Sequence, residues 1–288
     1  MTDPKVHFRN VSDTARWVAS FRAIETQRAD ALFRDTHAER LAGVRGFQIA
    51  KMLAQESEQG SNPGWAWVAR TCLFDKFISG LLAGGTDLVL NLGAGLDARP
   101  FRMELPSTLQ WIEVDLPEIV AYKAEILTNE KPRCELERIA LDLSDVEGRR
   151  AILRKVNACA NRIAVISEGT LVYFSPDEVA TLARDLRCEP HFHHWIIDIS
   201  SAIQLVSMQQ SPLGRRLQDA NVEFKFGPAE GVDFFKPQGW EPKEVKGLLE
   251  TAAENNRAPK EFLSLLPDPR PVPPNYPWTG VCLLRKSE

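Results

Sequence analysis

Leu88-Val89-Leu90-Asn91-Leu92-Gly93-Ala94-Gly95-Leu96-Asp97-Ala98-Arg99 is the stretch on which the reading of the fold turns. Its first five residues make a short, mostly apolar run, the composition of a strand buried on both faces of a parallel sheet. Gly93 closes the run. The small residues at 93, 94, 95 and 98 then permit a tight turn in which a ligand can come close to the backbone. A strand ending in such a turn is where doubly wound α/β folds hold a cofactor.

Outward from this stretch, strand and helix patterns alternate. A second strand is expected over Leu109–Val114, a helix from Pro117 to Leu127, a third strand over Leu136–Ala140 and a helix through Val156. Arg162–Ile166 reads as a fourth strand, Pro176–Leu186 as a helix with proline at an early position, and Trp195–Ile199 as a fifth strand. This βαβ spacing predicts an α/β fold with a doubly wound, mostly parallel sheet. Further on, Gln204–Asn221 reads as one helix, Pro228–Gly239 as a loop, Pro267–Pro274 as a stiff extended connection and Trp278–Leu284 as a terminal strand. Before Thr86 the chain is helical. Ser12 or Asp13 is placed to cap a helix carrying Trp17, Val18 and Phe21, and Trp67–Leu82 supplies another apolar pattern, ended by Gly84 and Gly85. One domain over 1–288 is expected, with a helical cap at 1–85 on a Rossmann-like core at 86–288.

The 35 lysines and arginines against 39 aspartates and glutamates give no reason to expect nucleic acid as a partner. No segment has the uninterrupted apolar length of a membrane span, and the amino terminus lacks a signal core, so a cytoplasmic protein is expected. Five scattered cysteines without a Cys-x-x-Cys pair read as reduced thiols. His191, His193 and His194 cluster beside the fifth strand but lack a second ligand group at metal-site spacing, so no metal is expected and a solvent-facing cluster is preferred. His7 and His37, in the cap, are secondary candidates for an acceptor pocket.

Four positions join the glycine turn as site candidates. Asp115 ends the second strand about 20 residues after the glycines, where a carboxylate can accept the hydroxyls of a ribose. Gly93, Gly95 and Ala98 also satisfy the Gly-x-Gly-x-x-Gly/Ala pattern of nicotinamide enzymes, so NAD stays open on these residues alone. Asp142, followed by Leu143 after the third strand, suits an adenine amine and the ring beside it, although Asp142 could instead cap a helix, as could Ser144 or Asp145. Glu168 and Tyr173 follow the fourth strand near the expected switch point and are the catalytic candidates. The alternatives are an ion pair for Glu168 and core packing for Tyr173.

Several segments together resemble the leucine carboxyl methyltransferase family, particularly its bacterial branch of small-molecule and polyketide O-methyltransferases. They are Val11-Ser12-Asp13-Thr14-Ala15, Arg22-Ala23-Ile24-Glu25, Ala69-Arg70-Thr71, the stretch Asn91–Arg99, Glu113-Val114-Asp115-Leu116-Pro117 and Glu168-Gly169-Thr170-Leu171-Val172-Tyr173. The resemblance implies S-adenosyl-L-methionine (SAM) as cofactor, with contacts at Arg70, Gly93, Asp115, Asp142, Leu143 and Glu168, and Gly95 within the same loop. Arg70 would offer its guanidinium fork to the methionyl carboxylate. Two positions depart from the family pattern: Cys72, where relatives commonly have arginine, and Thr170, where leucine is usual.

The expected function is SAM-dependent transfer of a methyl group to a hydroxyl or carboxylate oxygen of a small, partly apolar molecule. The alternatives are an NAD-dependent oxidoreductase and a noncatalytic SAM-binding protein.

Overall fold

The computed structural model of the protein describes residue 8 and residues 12–56, 64–265 and 276–287. His7, Val11 and the proline-rich stretch 267–274 lie outside the described residues. Three helices come first: α1 (Ser12–Thr26), α2 (Ala38–Glu56) and α3 (Gly64–Ala83). Alternation follows, with β1 (Leu88–Leu92), α4 (Arg99–Arg102), β2 (Gln110–Asp115), α5 (Pro117–Ile126), β3 (Glu135–Ala140), α6 (Val146–Asn157), β4 (Ile163–Ser167), α7 (Pro176–Cys188) and β5 (Phe192–Ser200). The chain then runs through α8 (Ala202–Gln210), α9 (Pro212–Asp219), β6 (Trp240–Gly247), α10 (Leu248–Glu254) and β7 (Thr279–Lys286).

The sheet order is β3-β2-β1-β4-β5-β7-β6. β1 to β5 pair in parallel, and β7 enters antiparallel between β5 and β6. The order reverses between β1 and β4, so the crevice at their carboxyl ends is the topological switch point where α/β folds bind ligands. This is the doubly wound sheet expected from the alternation, with one antiparallel strand near its edge.

Both faces of the sheet are covered, and the pleat assigns residues to them alternately. Leu88, Leu90 and Leu92 of β1 pack with Leu153 and Val156 of α6 and with Val179, Leu182 and Leu186 of α7. Val89 faces the other way, with Trp111 and Ile166, onto Leu73, Phe74, Phe77 and Ile78 of α3. α3 is therefore a covering layer of the sheet itself. α1 and α2 form their own apolar clusters above it, one with Leu217 and Phe224, the other with Leu96, Phe101 and Leu127.

Local chemistry sets the boundaries. Ser175 and Glu178 form a capping box at the start of α7, with Pro176 in the first turn. The single helix expected over Gln204–Asn221 is two helices: Pro212 cannot continue α8, and Ser211 caps α9 by accepting the Gly214 N–H at 3.0 Å. The loop expected over Pro228–Gly239 winds into a 3-10 helix over Gly231–Gln238, tied down by Phe235 in the core. β6 was not expected at all. Among the described residues, no helix is long and apolar enough to cross a membrane.

Candidate functional site

A cavity of about 980 Å³ opens at the carboxyl ends of the parallel strands and receives residues from nearly every segment singled out above. Arg70, Gly93, Gly95, Asp115, Asp142, Leu143, Glu168 and Tyr173 all line it.

The glycine turn is built for a side chain to cross it. Gly93 has φ +71°, in the region that favours glycine, and a Cβ there would run into Thr170 Oγ1. Thr170 Oγ1 lies 3.2 Å from the carbonyls of Leu92, Gly93 and Glu168, so Thr170 bonds the turn to the end of β4. At the end of β2, Asp115 accepts the Gly95 N–H at 2.6 Å and the Leu116 N–H at 2.7 Å, one on each carboxylate oxygen. Burial pushes its carboxyl above the ordinary value, against those two N–H donors. Asp115 thus holds the turn in shape, and each oxygen retains capacity for another donor.

Past β3, Asp142 is exposed and accepts the Ser144 N–H at 2.8 Å, while Leu143 is buried. The cap of α6 is Asp145, which accepts from Gly148, so Asp142 is not the helix cap.

Arg70 and Glu168 sit in a buried cluster of opposite charges. Arg70 donates from Nε to Glu168 Oε1 at 3.1 Å and from Nη1 to Asp198 Oδ2 at 3.0 Å, leaving Nη2 as its remaining donor group. Gly169, at φ +65°, lets that guanidinium lie across its backbone, since a Cβ there would sit 3.0 Å from Nη1. The other Glu168 oxygen accepts from Arg99 Nη1 at 2.7 Å. Arg99 also reaches Asp97 at 2.9 Å and Asp75 at 2.6 Å, and Arg102 reaches Asp75 at 2.7 Å. Burial works to raise the Glu168 carboxyl, but Arg99 and Arg70 outweigh it and hold it below the ordinary range. Glu168 is therefore a fixed anion engaged on both oxygens, an arrangement for binding and orientation rather than for taking up a proton.

Tyr173 lines the same cavity. Its ring lies 5.6 Å from Phe224, its hydroxyl is 3.4 Å from Thr14 Oγ1, and burial pushes the phenol above its ordinary value. Around it the wall is aromatic, with Trp17, Trp67, Phe224, Phe226 and Trp278. Arg22 of α1 anchors the helical region to the cofactor turn, donating to the Leu96 carbonyl at 2.6 Å and to Asp35 at 2.9 Å.

Several functional positions were not singled out from sequence. Arg99 and Asp97 lie inside the glycine stretch, where a buried charge pair two residues apart was the available signal. Asp198 was read only as part of a strand, although a carboxylate inside an apolar run is itself such a signal. Asp75 carried no local cue. At Cys72, burial and then Asp75 push the thiol up to about 12, so it stays protonated. His193 and His194 belong to the amino-terminal end of β5, about 13–17 Å along the strand from Asp198 at ~3.3 Å per residue. Burial lowers His194 to about 4. Among the described residues, no group of three His, Cys, Asp or Glu side chains is placed to hold a metal ion.

A glycine turn at the switch point, with an acidic residue at the end of the neighbouring strand, defines a nucleotide-cofactor protein of the doubly wound class. The leucine carboxyl methyltransferase family pattern matches residues 15–187, and the chain belongs to that family. A Streptomyces coelicolor protein whose assigned name is that of an S-adenosyl-L-methionine-dependent methyltransferase is 34% identical over a match covering 59% of this chain and 62% of its own length. The matched stretch thus falls short of two thirds of that relative. A Mycobacterium marinum protein assigned the same kind of name is 27% identical, with 89% of this chain and 94% of its own covered. In fold, the chain is similar to a DUF574 family protein of Streptomyces avermitilis, at a TM-score of 0.61 and 12% identity, with 95% of this chain and 97% of that one covered.

Proposed function

We propose that this chain is a SAM-dependent methyltransferase that carries the methyl group to an oxygen of a small, partly apolar molecule held against the aromatic wall. The observation that carries the reading is the Asp115 carboxylate bonded across to Gly95 at the switch point, in a chain of this family. That arrangement presents a fixed anion to ribose hydroxyls beside a turn that leaves the backbone open.

The residues present fit SAM. Asn91 Oδ1 is buried and receives no hydrogen bond among the described residues, while its Nδ2 donates to Asp97 at 2.9 Å. A ligand ammonium would satisfy that oxygen. The cluster of Arg70, Arg99 and Arg102 with Asp75, Asp97, Glu168 and Asp198 carries one more negative than positive charge, which complements a cationic ligand. Asp115 would hold the ribose, Asp142 and Leu143 the adenine, Asn91 and Glu168 the ammonium end, and Arg70 Nη2 the carboxylate. When bound, SAM supplies an electrophilic methyl group on a sulfonium. The chain's own work is alignment: the buried ion pairs fix the side chains near the methionyl end, and the aromatic wall excludes water and orients the acceptor.

Thermal shift and calorimetry with SAM and with NAD test the cofactor. Stabilisation by SAM and not by NAD is expected, because a ligand selective for the folded state raises its stability. Stabilisation by NAD alone would overturn the reading. Incubation with methyl-labelled SAM and a metabolite library, followed by mass spectrometry, tests the acceptor. Label on oxygen is expected; label confined to nitrogen or carbon overturns oxygen transfer, and SAM binding with no labelled product favours a noncatalytic protein.

A further inference from the structure

Asp198 is a carboxylate at the site that the cofactor assignment leaves without a task. It lies near the carboxyl end of β5, which stands beyond β4 from the glycine turn, and it lines the cavity. Its Oδ1 accepts the Gly169 N–H at 2.7 Å and its Oδ2 accepts from Arg70 Nη1 at 3.0 Å, so each oxygen has room for another donor. Ser200, two residues on and hence on the same face of the strand, lies 3.0 Å from Thr279 Oγ1 and donates to Met208 Sδ at 3.5 Å. The wall next to Asp198 is therefore made by α8 and β7, with Met208 and Trp278 in the cavity lining. Asp198 is bonded to the charged cluster and lines the same cavity as Met208, Trp278 and the other rings.

From this juxtaposition we infer that Asp198 is the acceptor-side carboxylate, which takes the hydrogen bond and then the proton of a hydroxyl acceptor as that oxygen is methylated. The inference rests on the proposed function above. The acceptor oxygen forms a bond to the methyl carbon while the carbon–sulfur bond breaks, its electron pair staying on sulfur. The electron pair of the O–H bond stays on the acceptor oxygen, and the proton passes to an Asp198 oxygen and from there to water.

The other titratable groups of the site serve this step poorly. Glu168 is held by two guanidiniums that keep its carboxyl below the ordinary range, and Asp115 is committed to the cofactor turn and to the ribose assigned there. The Tyr173 phenol is pushed up by burial and is neutral near pH 7. Around Asp198 itself stand Arg70 of α3, Glu168 after β4, Tyr173 of the following turn and Cys282 of β7. Burial raises the Asp198 carboxyl and Glu168 adds to this, while Arg70 and the Gly169 N–H oppose it. The result is a carboxylate more basic than an ordinary one, which suits proton uptake.

Asp198→Asn and Asp198→Glu are compared with the parent protein on two probes, para-nitrophenol, about half ionised at neutrality and mostly ionised at about pH 8, and para-cresol, which stays neutral at both. Calorimetry with SAM accompanies each variant. Asp198→Asn is expected to lower kcat for para-cresol by roughly a hundredfold or more and for para-nitrophenol far less, with Asp198→Glu recovering part of the loss. The parent's kcat for para-cresol should rise with pH through one titration that the Asn variant lacks. Equal losses on both phenols, or a loss accounted for by weaker SAM binding, overturn the inference and make Asp198 a positioning residue for Arg70. If the parent binds SAM but methylates neither phenol, the inference falls and the cofactor reading stands. If the parent does not bind SAM, the proposed function itself falls.

Discussion

At the carboxyl ends of β1, β2 and β4 the cavity wall is backbone and charge: Gly93, Gly95, Asp115 and the arginine–carboxylate cluster around Glu168. Elsewhere in the lining Trp17, Trp67, Tyr173, Phe224 and Trp278 supply rings, with Trp67 at the border, its ring 4.6 Å from the Arg70 guanidinium. The charged side is drawn largely from contiguous strand-to-turn segments, whereas the aromatic side gathers α1, α3, the turn after β4 and the chain around residues 222–226 and 276–278. A cofactor of fixed structure is met by fixed donors and acceptors, each placed by a strand end. An acceptor is met by shape and apolar area, which many combinations of residues can supply. The charged side should therefore tolerate little change, and the aromatic side more.

The sharpest break of that contrast is Arg99→Met. Arg99 is 2% exposed and touches Asp75, Asp97 and Glu168, so its loss strands buried negative charge. Removing one partner of a buried ion pair costs about 3–5 kcal/mol, and urea unfolding should show a loss in that range. A change below about 1 kcal/mol would mean that the charged side is not held by this cluster. The same cluster predicts acid lability. Burial works to raise Asp97, but Arg99 leads the charges that bring it down to about 2. A carboxyl depressed in the folded state stabilises above its unfolded value and loses that contribution as pH falls through its folded value. Stability should thus decline from about pH 4 towards pH 2, and Arg99→Met should flatten that decline.

A smaller effect is expected from Asp115→Ala. It deprives the Gly95 and Leu116 N–H groups of their acceptor, at about 1–3 kcal/mol of stability, and removes the proposed ribose contact. SAM affinity measured by calorimetry should fall at least about tenfold, equivalent to 1.4 kcal/mol. Asp115→Asn keeps one acceptor oxygen and should recover part of the stability. Unchanged affinity in a folded Ala variant would leave Asp115 a loop-fixing residue only.

What was legible in the sequence follows the same division. β1, its glycine turn and Asp115 were readable because apolar run, turn chemistry and carboxylate spacing agree within one contiguous unit. β6 was not, because Trp240-Glu-Pro-Lys-Glu-Val-Lys-Gly247 is polar with a proline inside it, as an edge strand can be. Its pairing with β7 is supplied by tertiary structure. The break at Pro212 was locally visible, but the helical composition on both sides masked it. Asp75 belongs to the site only because α3 packs against the sheet with Asp75 next to α4, a placement that no local pattern carries. Of the rings in the lining, only Tyr173 was singled out as a site residue, because the others come from segments whose apolar patterns read as core packing.

Tyr173→Phe is the smallest change and probes the aromatic side directly. Its hydroxyl makes one long contact, 3.4 Å to Thr14 Oγ1, so removing it should cost less than about 1 kcal/mol of stability. The ring remains against Phe224, and SAM affinity should be unchanged because no cofactor contact is assigned to the phenol. Burial holds the hydroxyl above its ordinary titration range, so near neutrality it can donate a hydrogen bond but cannot accept a proton as a phenolate. Activity of Tyr173→Phe should then fall less than about tenfold, through acceptor KM rather than kcat, the signature of a lost binding contact. A collapse of kcat at unchanged KM would instead place the phenol at the reacting oxygen and move chemistry onto the aromatic wall, the outcome that the contrast between the two sides excludes.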